Sequence, residues 1–257
     1  MDIKVIVATH KPYRMPKDKI YMPVQAGREI SSIVLDDMAG DNTGDNISKK
    51  NKNYCELTCL YWAWKNLQAD YVGLCHYRRH FAMAKGKDKW ENIADSVFLK
   101  KIFMHYDAVL PKKRNYFIET TYQQYIHAHN KQDLEKTEEI IAEFYPEYLP
   151  AYKRVMGDTK GHRFNMVIIK KNFFDSYCEW LFDILFKLEE RLDISEYSDY
   201  DKRVFGFISE RLLDVWLETT EKQQGIKYTE LPVINMENQH WIKKGTNFLK
   251  RKFIGKR

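Results

Sequence analysis

The chain has no CxxC pair, and no apolar run approaches the roughly 18 residues that a membrane span needs. Glycine and proline are scarce, 11 and 7 in 257 residues, which excludes a disordered or fibrous chain. The four cysteines, Cys55, Cys59, Cys75 and Cys178, lack partners at zinc-ligand spacing, so buried free thiols in a reducing compartment are expected. Nucleophile elbow, phosphate-binding glycine loop, dinucleotide fingerprint and zinc-protease helix are all missing, which removes the commonest hydrolase and nucleotide-binding signatures. Met1-Asp-Ile-Lys leads directly into a strand pattern with no signal-peptide character, so a cytoplasmic protein is expected.

The net charge is +6, but it is unevenly placed. Between Trp241 and Arg257 stand seven cations and no carboxylate, so the remainder of the chain sums to −1. Trp241, Ile242, Phe248, Leu249, Phe253 and Ile254 interleave with those cations, a mixture suited to an anionic membrane surface or, more plainly, to a solvated basic end. Nucleic acid is not expected as a partner, because the body of the chain is nearly neutral and carries no recognised binding motif. The expected organisation is one domain over 1–240 and a basic amphipathic tail over 241–257.

Alternating apolar residues predict a first strand, Ile3 to Ala8, ending in a polar loop at Thr9 and His10, where part of a nucleotide commonly sits. The turn-rich segment 36–48 carries Asp41, Asp45 and Asn46, read either as Asx turns or as a pocket wall that hydrogen-bonds a sugar. The run 53–66 predicts a helix apolar nearly all round, in which Glu56 needs a partner, with the arginines after the next strand as candidates. That next strand, Tyr71 to Cys75, ends in a basic loop of His76, Arg78, Arg79 and His80, placed to meet an anion at the carboxyl end of an α/β sheet. A helix around 90–105 and a strand over 106–111 follow. The segment 122–143 has helical spacing and presents His127, His129 and Asp133; the last two, four apart, are read as an acid/base pair or an exposed polar face. A strand over 163–170 containing Asn165, helices over 173–191 and 203–217, and a strand over 227–233 complete the pattern.

This order suits a GT-A-like, Rossmann-like mixed α/β sheet flanked by helices, with helical insertions. In most nucleotide-sugar transferases of that type the central strand ends in Asp-x-Asp, which holds a divalent metal on the sugar diphosphate. Here the matching position reads His76-Tyr77-Arg78, and guanidinium groups neutralise a diphosphate directly, so no metal or other cofactor is expected.

Cys55-Glu-Leu-Thr, Tyr61-Trp-Ala-Trp-Lys-Asn, His76-Tyr-Arg-Arg-His-Phe, Asp41-Asn-Thr-Gly-Asp-Asn-Ile-Ser and Arg203-Val-Phe-Gly-Phe-Ile-Ser-Glu-Arg-Leu-Leu together resemble a bacterial family. It is a former domain-of-unknown-function family of capsular and exopolysaccharide clusters whose characterised members are galactofuranosyltransferases. The resemblance runs from Val5 to about Val233. It implies inverting transfer of galactofuranose from its UDP donor to a glycan on a polyprenyl diphosphate, as in capsular, exopolysaccharide or O-antigen synthesis. The tail lies outside the matched region, and its placement on the inner face of the plasma membrane rests on composition. On this reading Thr9, His10, Asp45, Asn46, His76, Arg78 and Arg79 bind the donor, and His127, His129 and Asn165 the acceptor. Glu210 is the general base by its position at the start of a helix after the acceptor-side strand, with Asp133 second; a salt bridge from Glu210 to Arg203 or Arg211 is the purely structural alternative. A non-catalytic glycan- or nucleotide-binding component of an assembly complex is the alternative function.

Overall fold

The structure, a computed structural model, describes residues 1–84 and 88–237. In chain order these form β1 (Ile3–Thr9), β2 (Tyr21–Gln25), β3 (Ala39–Gly40), α1 (Asn51–Tyr54), α2 (Leu57–Asn66), β4 (Tyr71–His76), β5 (Arg79–Phe81), α3 (Ser96–Ile102), β6 (Ala108–Pro111), β7 (Arg114–Asn115), α4 (Thr121–Ile126), α5 (Lys131–Phe144), α6 (Leu149–Gly157), β8 (Lys160–Gly161), β9 (Val167–Lys170), α7 (Lys171–Arg191), α8 (Val204–Gln224), β10 (Tyr228–Leu231) and β11 (Val233–Asn235).

The central sheet runs β10-β6-β9-β4-β1-β2-β3. Strands β3, β2, β1 and β4 are mutually parallel, while β9 runs antiparallel to both β4 and β6. Alternation along the strands decides how the faces are covered. Ile3, Val5 and Val7 of β1, with Tyr71 and Cys75 of β4, pack on Leu99 and Phe103 in and after α3. Ile6 and Ala8, with Val72 and Leu74, face the opposite way, into the larger core built by α2, α5, α6, α7 and α8. Both faces are therefore buried, the arrangement expected of a mainly parallel sheet.

Gly73 stands where β4 meets β9. A Cβ there would lie 2.7 Å from the Val167 carbonyl oxygen and 3.0 Å from the Ile168 Cα, both backbone atoms held by the sheet. Gly73→Ala should therefore destabilise the protein by on the order of 3 kcal/mol and lower its thermal midpoint by roughly 10 °C. An unchanged calorimetric melt would mean that β4 and β9 can separate without cost.

Several sequence expectations change in the folded chain. The helix over 53–66 is broken at Cys55, whose φ is +53°, so Glu56 caps α2 and leaves the helical stripe. The basic segment after β4 is a tight hairpin, because Arg79–Phe81 is a strand paired with β11 and with the end of β4. The segment 122–143 is two helices, α4 and α5, so His129 precedes α5 while Asp133 lies in its first turn; both are buried, and the exposed-face reading fails. The strand expected over 163–170 begins at Val167, the helix around 90–105 shrinks to α3, and Pro232 divides the last strand into β10 and β11. The tail over 241–257 lies outside the described residues.

Candidate active site

The chain passes from β1 to β2 and β3 on one side, then crosses to β4 on the other. The crevice beyond the carboxyl ends of β1 and β4 is thus the switch point of the sheet, where ligands bind in open α/β folds. A cavity of about 650 Å³ opens there. Its floor is Thr9, His10, His76, Tyr77 and Arg78 from the strand ends, and its opposite wall comes from the α1–α2 junction, the β7 loop, residues 163–164 and the first turns of α8.

Charge is the cavity's main property. Lys52, Arg78, Arg79, Arg114, Arg163, Arg203 and Arg211 line it, against two carboxylates, Glu56 and Glu210. Two of these cations are consumed by the fold. Arg163, 3% exposed, donates to the His162 carbonyl at 2.6 Å and to Thr121 Oγ1 and Tyr116 Oη. Behind it, buried His162 contacts Asp214 through Nδ1 and Glu230 through Nε2. Arg211, equally buried, donates to the Phe207 carbonyl, Glu210 Oε2 and Gln124 Oε1.

The remaining cations face the cavity with little opposing charge. Arg78 meets Glu237 Oε2 at 2.9 Å. The Arg79 guanidinium lies over the Phe164 ring, 4.6 Å from its centroid, and its buried Nε finds no acceptor. Burial, reinforced by Arg78, holds Arg79 below its ordinary pKa, so its surroundings oppose the charge they contain. Low-dielectric walls and clustered guanidinium groups focus a positive potential on the opening, which suits a ligand carrying several negative charges. Cys55 also lines the cavity, but burial pushes its thiol up to about 11, so at neutral pH it is protonated and a poor nucleophile.

One strained bend organises the two carboxylates. Phe164 and Asn165 have φ of +79° and +53°, left-handed values that cost a non-glycine residue on the order of 1 kcal/mol or more each. In return, the Phe164 N–H donates to Glu210 Oε1 at 3.1 Å, and its carbonyl faces His76 Nε2 at the end of β4. Asn165 Nδ2 donates to Glu56 Oε1 at 2.8 Å, while its Oδ1 accepts from Ser209 Oγ. Glu210 therefore has both oxygens engaged, one by a backbone amide and one by Arg211 at 3.0 Å. Glu56 has only Oε1 engaged and takes no arginine within ion-pair distance among the described residues.

The structure brings Thr9, His10, His76, Arg78, Arg79, His129 and Glu210 to one cavity, with Asn165 bonded to the cavity residue Glu56. His129 stacks on Phe207 at 4.2 Å. It does not bring in Asp45, Asn46, His127 or Asp133. Asp45 accepts from Tyr61 Oη and Asn46 closes a local turn, as Asx chemistry does. His127 pairs with buried Glu119, and Asp133 accepts from Tyr125 and Tyr197 in the helical core. Sequence reasoning missed Lys52, Arg114, Arg163 and Tyr116 as cavity residues and took Arg203 and Arg211 only as ion-pair partners. Glu56 did carry a signal, as the one carboxylate in an apolar helix. Among the described residues, no group of three or more His, Cys, Asp or Glu side chains is placed to hold a metal ion.

A family model described as a domain of unknown function, DUF4422, matches residues 4–223. A solved structure described as the apo structure of the WbbM bifunctional glycosyltransferase is similar over 93% of this chain, with a TM-score of 0.85 and 32% identity. The matched part is 46% of that chain, so the present sequence spans just under half of the relative's length. A comparison with the curated proteins gives no match. The similarity establishes the GT-A-like mixed α/β fold.

Proposed function

This chain belongs to the family described as a domain of unknown function (DUF4422), and from that premise we propose that it is a glycosyltransferase whose donor leaves as a nucleoside diphosphate. The observation that carries the reading is the cluster of accessible cations, Arg78 and Arg79 foremost, beyond the ends of β1 and β4. A departing diphosphate gains negative charge in the transition state, and preorganised guanidinium groups stabilise it more there than in the ground state. The described residues supply those groups without a metal, so the reaction is proposed to be metal-independent. The finer proposal is inverting transfer of galactofuranose from UDP-galactofuranose to a polyprenyl-diphosphate-linked glycan of a capsular, exopolysaccharide or O-antigen pathway. On this proposal the tail over 241–257 helps hold the protein at the inner face of the bacterial plasma membrane.

Inversion needs a base on the acceptor hydroxyl, opposite the leaving group. Glu210 is the expectation from its place on α8, but Arg211 and the Phe164 amide occupy its two oxygens. The geometry favours Glu56, whose Oε2 is free to accept a proton while Asn165 fixes the carboxylate through Oε1. Glu210 then anchors the 164–165 bend and compensates Arg211. His10, beside Tyr77 at the floor, is held below its ordinary pKa by burial and by Lys11, so it meets a ligand as a neutral imidazole.

The deciding experiment is incubation of purified protein with UDP-galactofuranose and a glycan acceptor in excess chelator. Acceptor-dependent release of UDP is the expected result. Donor binding by calorimetry, with no turnover under any acceptor or metal, would instead make the chain a binding component of an assembly complex.

A further inference from the structure

Residues 112–118 give Arg114 and Tyr116 to the cavity wall and carry an exposed apolar tip. Phe117 is 79% exposed, the highest value among the large hydrophobic side chains of the described residues, and Ile118 beside it is 59% exposed. Single exposed apolar residues are ordinary, but this pair is held outward by its backbone. Phe117 has φ of +59°, rare for a bulky residue, within a tight turn in which the Ile118 N–H donates to the Tyr116 carbonyl and the Phe117 N–H to Asn115 Oδ1. The turn is rigidly based, because Tyr116 is tied to Thr159 by its backbone and receives the Arg163 Nε–H at its hydroxyl. Four exposed cations stand on the same loop and its paired strand: Lys112, Lys113 and Arg114 on the way in, and Lys160 on β8, which pairs with β7. Two solvent-accessible carboxylates stand nearby, Asp158, whose Oδ1 accepts from the Lys160 amide, and the partly exposed Glu230, which contacts His162 and accepts from the Lys113 amide at 3.4 Å.

An apolar pair projecting from a basic collar matches one partner chemistry, the surface of a bilayer with anionic headgroups: the rings enter the acyl boundary while the cations remain among the phosphates. We infer that the loop Lys112–Ile118 seats this protein on an anionic membrane with the cavity mouth facing the lipid. Arg114 and Tyr116 belong to the cavity wall, so a membrane-borne substrate would reach the arginine cluster without leaving the interface. The inference stands whether or not the transfer proposed above occurs, since it concerns lipid binding alone.

The test uses the full chain with phosphatidylcholine vesicles, with and without phosphatidylglycerol. An environment-sensitive dye on Phe117→Cys should shift to the blue only with phosphatidylglycerol present, after subtraction of the parent chain, in which Cys55 is the one cysteine not buried. The Phe117→Ser, Ile118→Ser double variant should keep the parent's melting temperature and lose about tenfold in partition onto the anionic vesicles, a loss that salt deepens. No spectral shift at position 117, or equal partition by parent and double variant, overturns the inference. So does a vesicle-independent self-association that the double variant abolishes, which would make the tip a protein contact.

Discussion

Glu56→Gln is expected to reduce the rate of transfer by about a thousandfold while leaving donor affinity close to that of the parent. A positioned general base contributes about 10²–10⁴ in rate, and the amide retains the hydrogen bond from Asn165 but cannot take the acceptor proton. Calorimetric donor binding beside steady-state kinetics separates the two effects: kcat should collapse and donor KM stay within a few-fold. Glu210→Gln provides the contrast. Its carbonyl can still accept from the Phe164 N–H, but Arg211 loses its charge partner, so the expected change is a lower melting temperature and a modest change in kcat, below about tenfold. If Glu210→Gln abolishes turnover while Glu56→Gln retains it, the base is Glu210, and Glu56 only orders the cavity wall.

Arg79→Met should have opposite effects on stability and on activity. In the free protein Arg79 is a partly buried cation whose Nε has no acceptor; desolvation and repulsion by Arg78 outweigh its contact with the Phe164 ring and its attraction to Glu210 and Glu56, so the folded state bears a net cost. The sign follows from the direction of its pKa. A cation held below its ordinary value is disfavoured by folding, and since arginine stays charged at every practical pH, the penalty does not vary between pH 5 and 9. Methionine, similar in length and neutral, should therefore melt at or above the parent's temperature. If Arg79 neutralises a donor diphosphate as proposed, the same change should cost about 3 kcal/mol in the transition state, roughly a hundredfold in kcat/KM, and remove the stabilisation that the donor gives the parent. A variant that melts lower and turns over normally would place Arg79 in the scaffold.

The parts of this chain that could be read from its sequence are those decided by neighbours in the chain. Period-two alternation located β1, short bounded apolar runs located β4 and β6, and the long apolar stripes located α7 and α8. Arg79–Phe81 read as a loop because its partner, β11, lies at the far end of the described chain and no local pattern announces it. The Phe164–Asn165 bend was hidden inside a strongly β-prone run; tertiary bonds to Glu210, Glu56 and His76 hold it against the local preference. Arg78 and Arg79 were conspicuous because they end a strand. Arg114, Arg163, Arg203 and Arg211 come from separate elements, and only folding gathers them with the first two.

The pairing of β5 with β11 also bears on how the molecule comes into being on the ribosome. Arg78 and Glu237 are 159 residues apart, and the hairpin that carries the two leading arginines gains its second strand neighbour only when 233–235 emerges. Helices and the parallel strands of the first half can associate during synthesis, whereas this long-range pairing must wait. A growing polypeptide halted after α8 would lack β10 and β11, leaving open edges on β5 and β6. The arginine-lined mouth is thus among the last parts to assemble, and interrupted translation should yield a sticky, inert product in place of a partly active one.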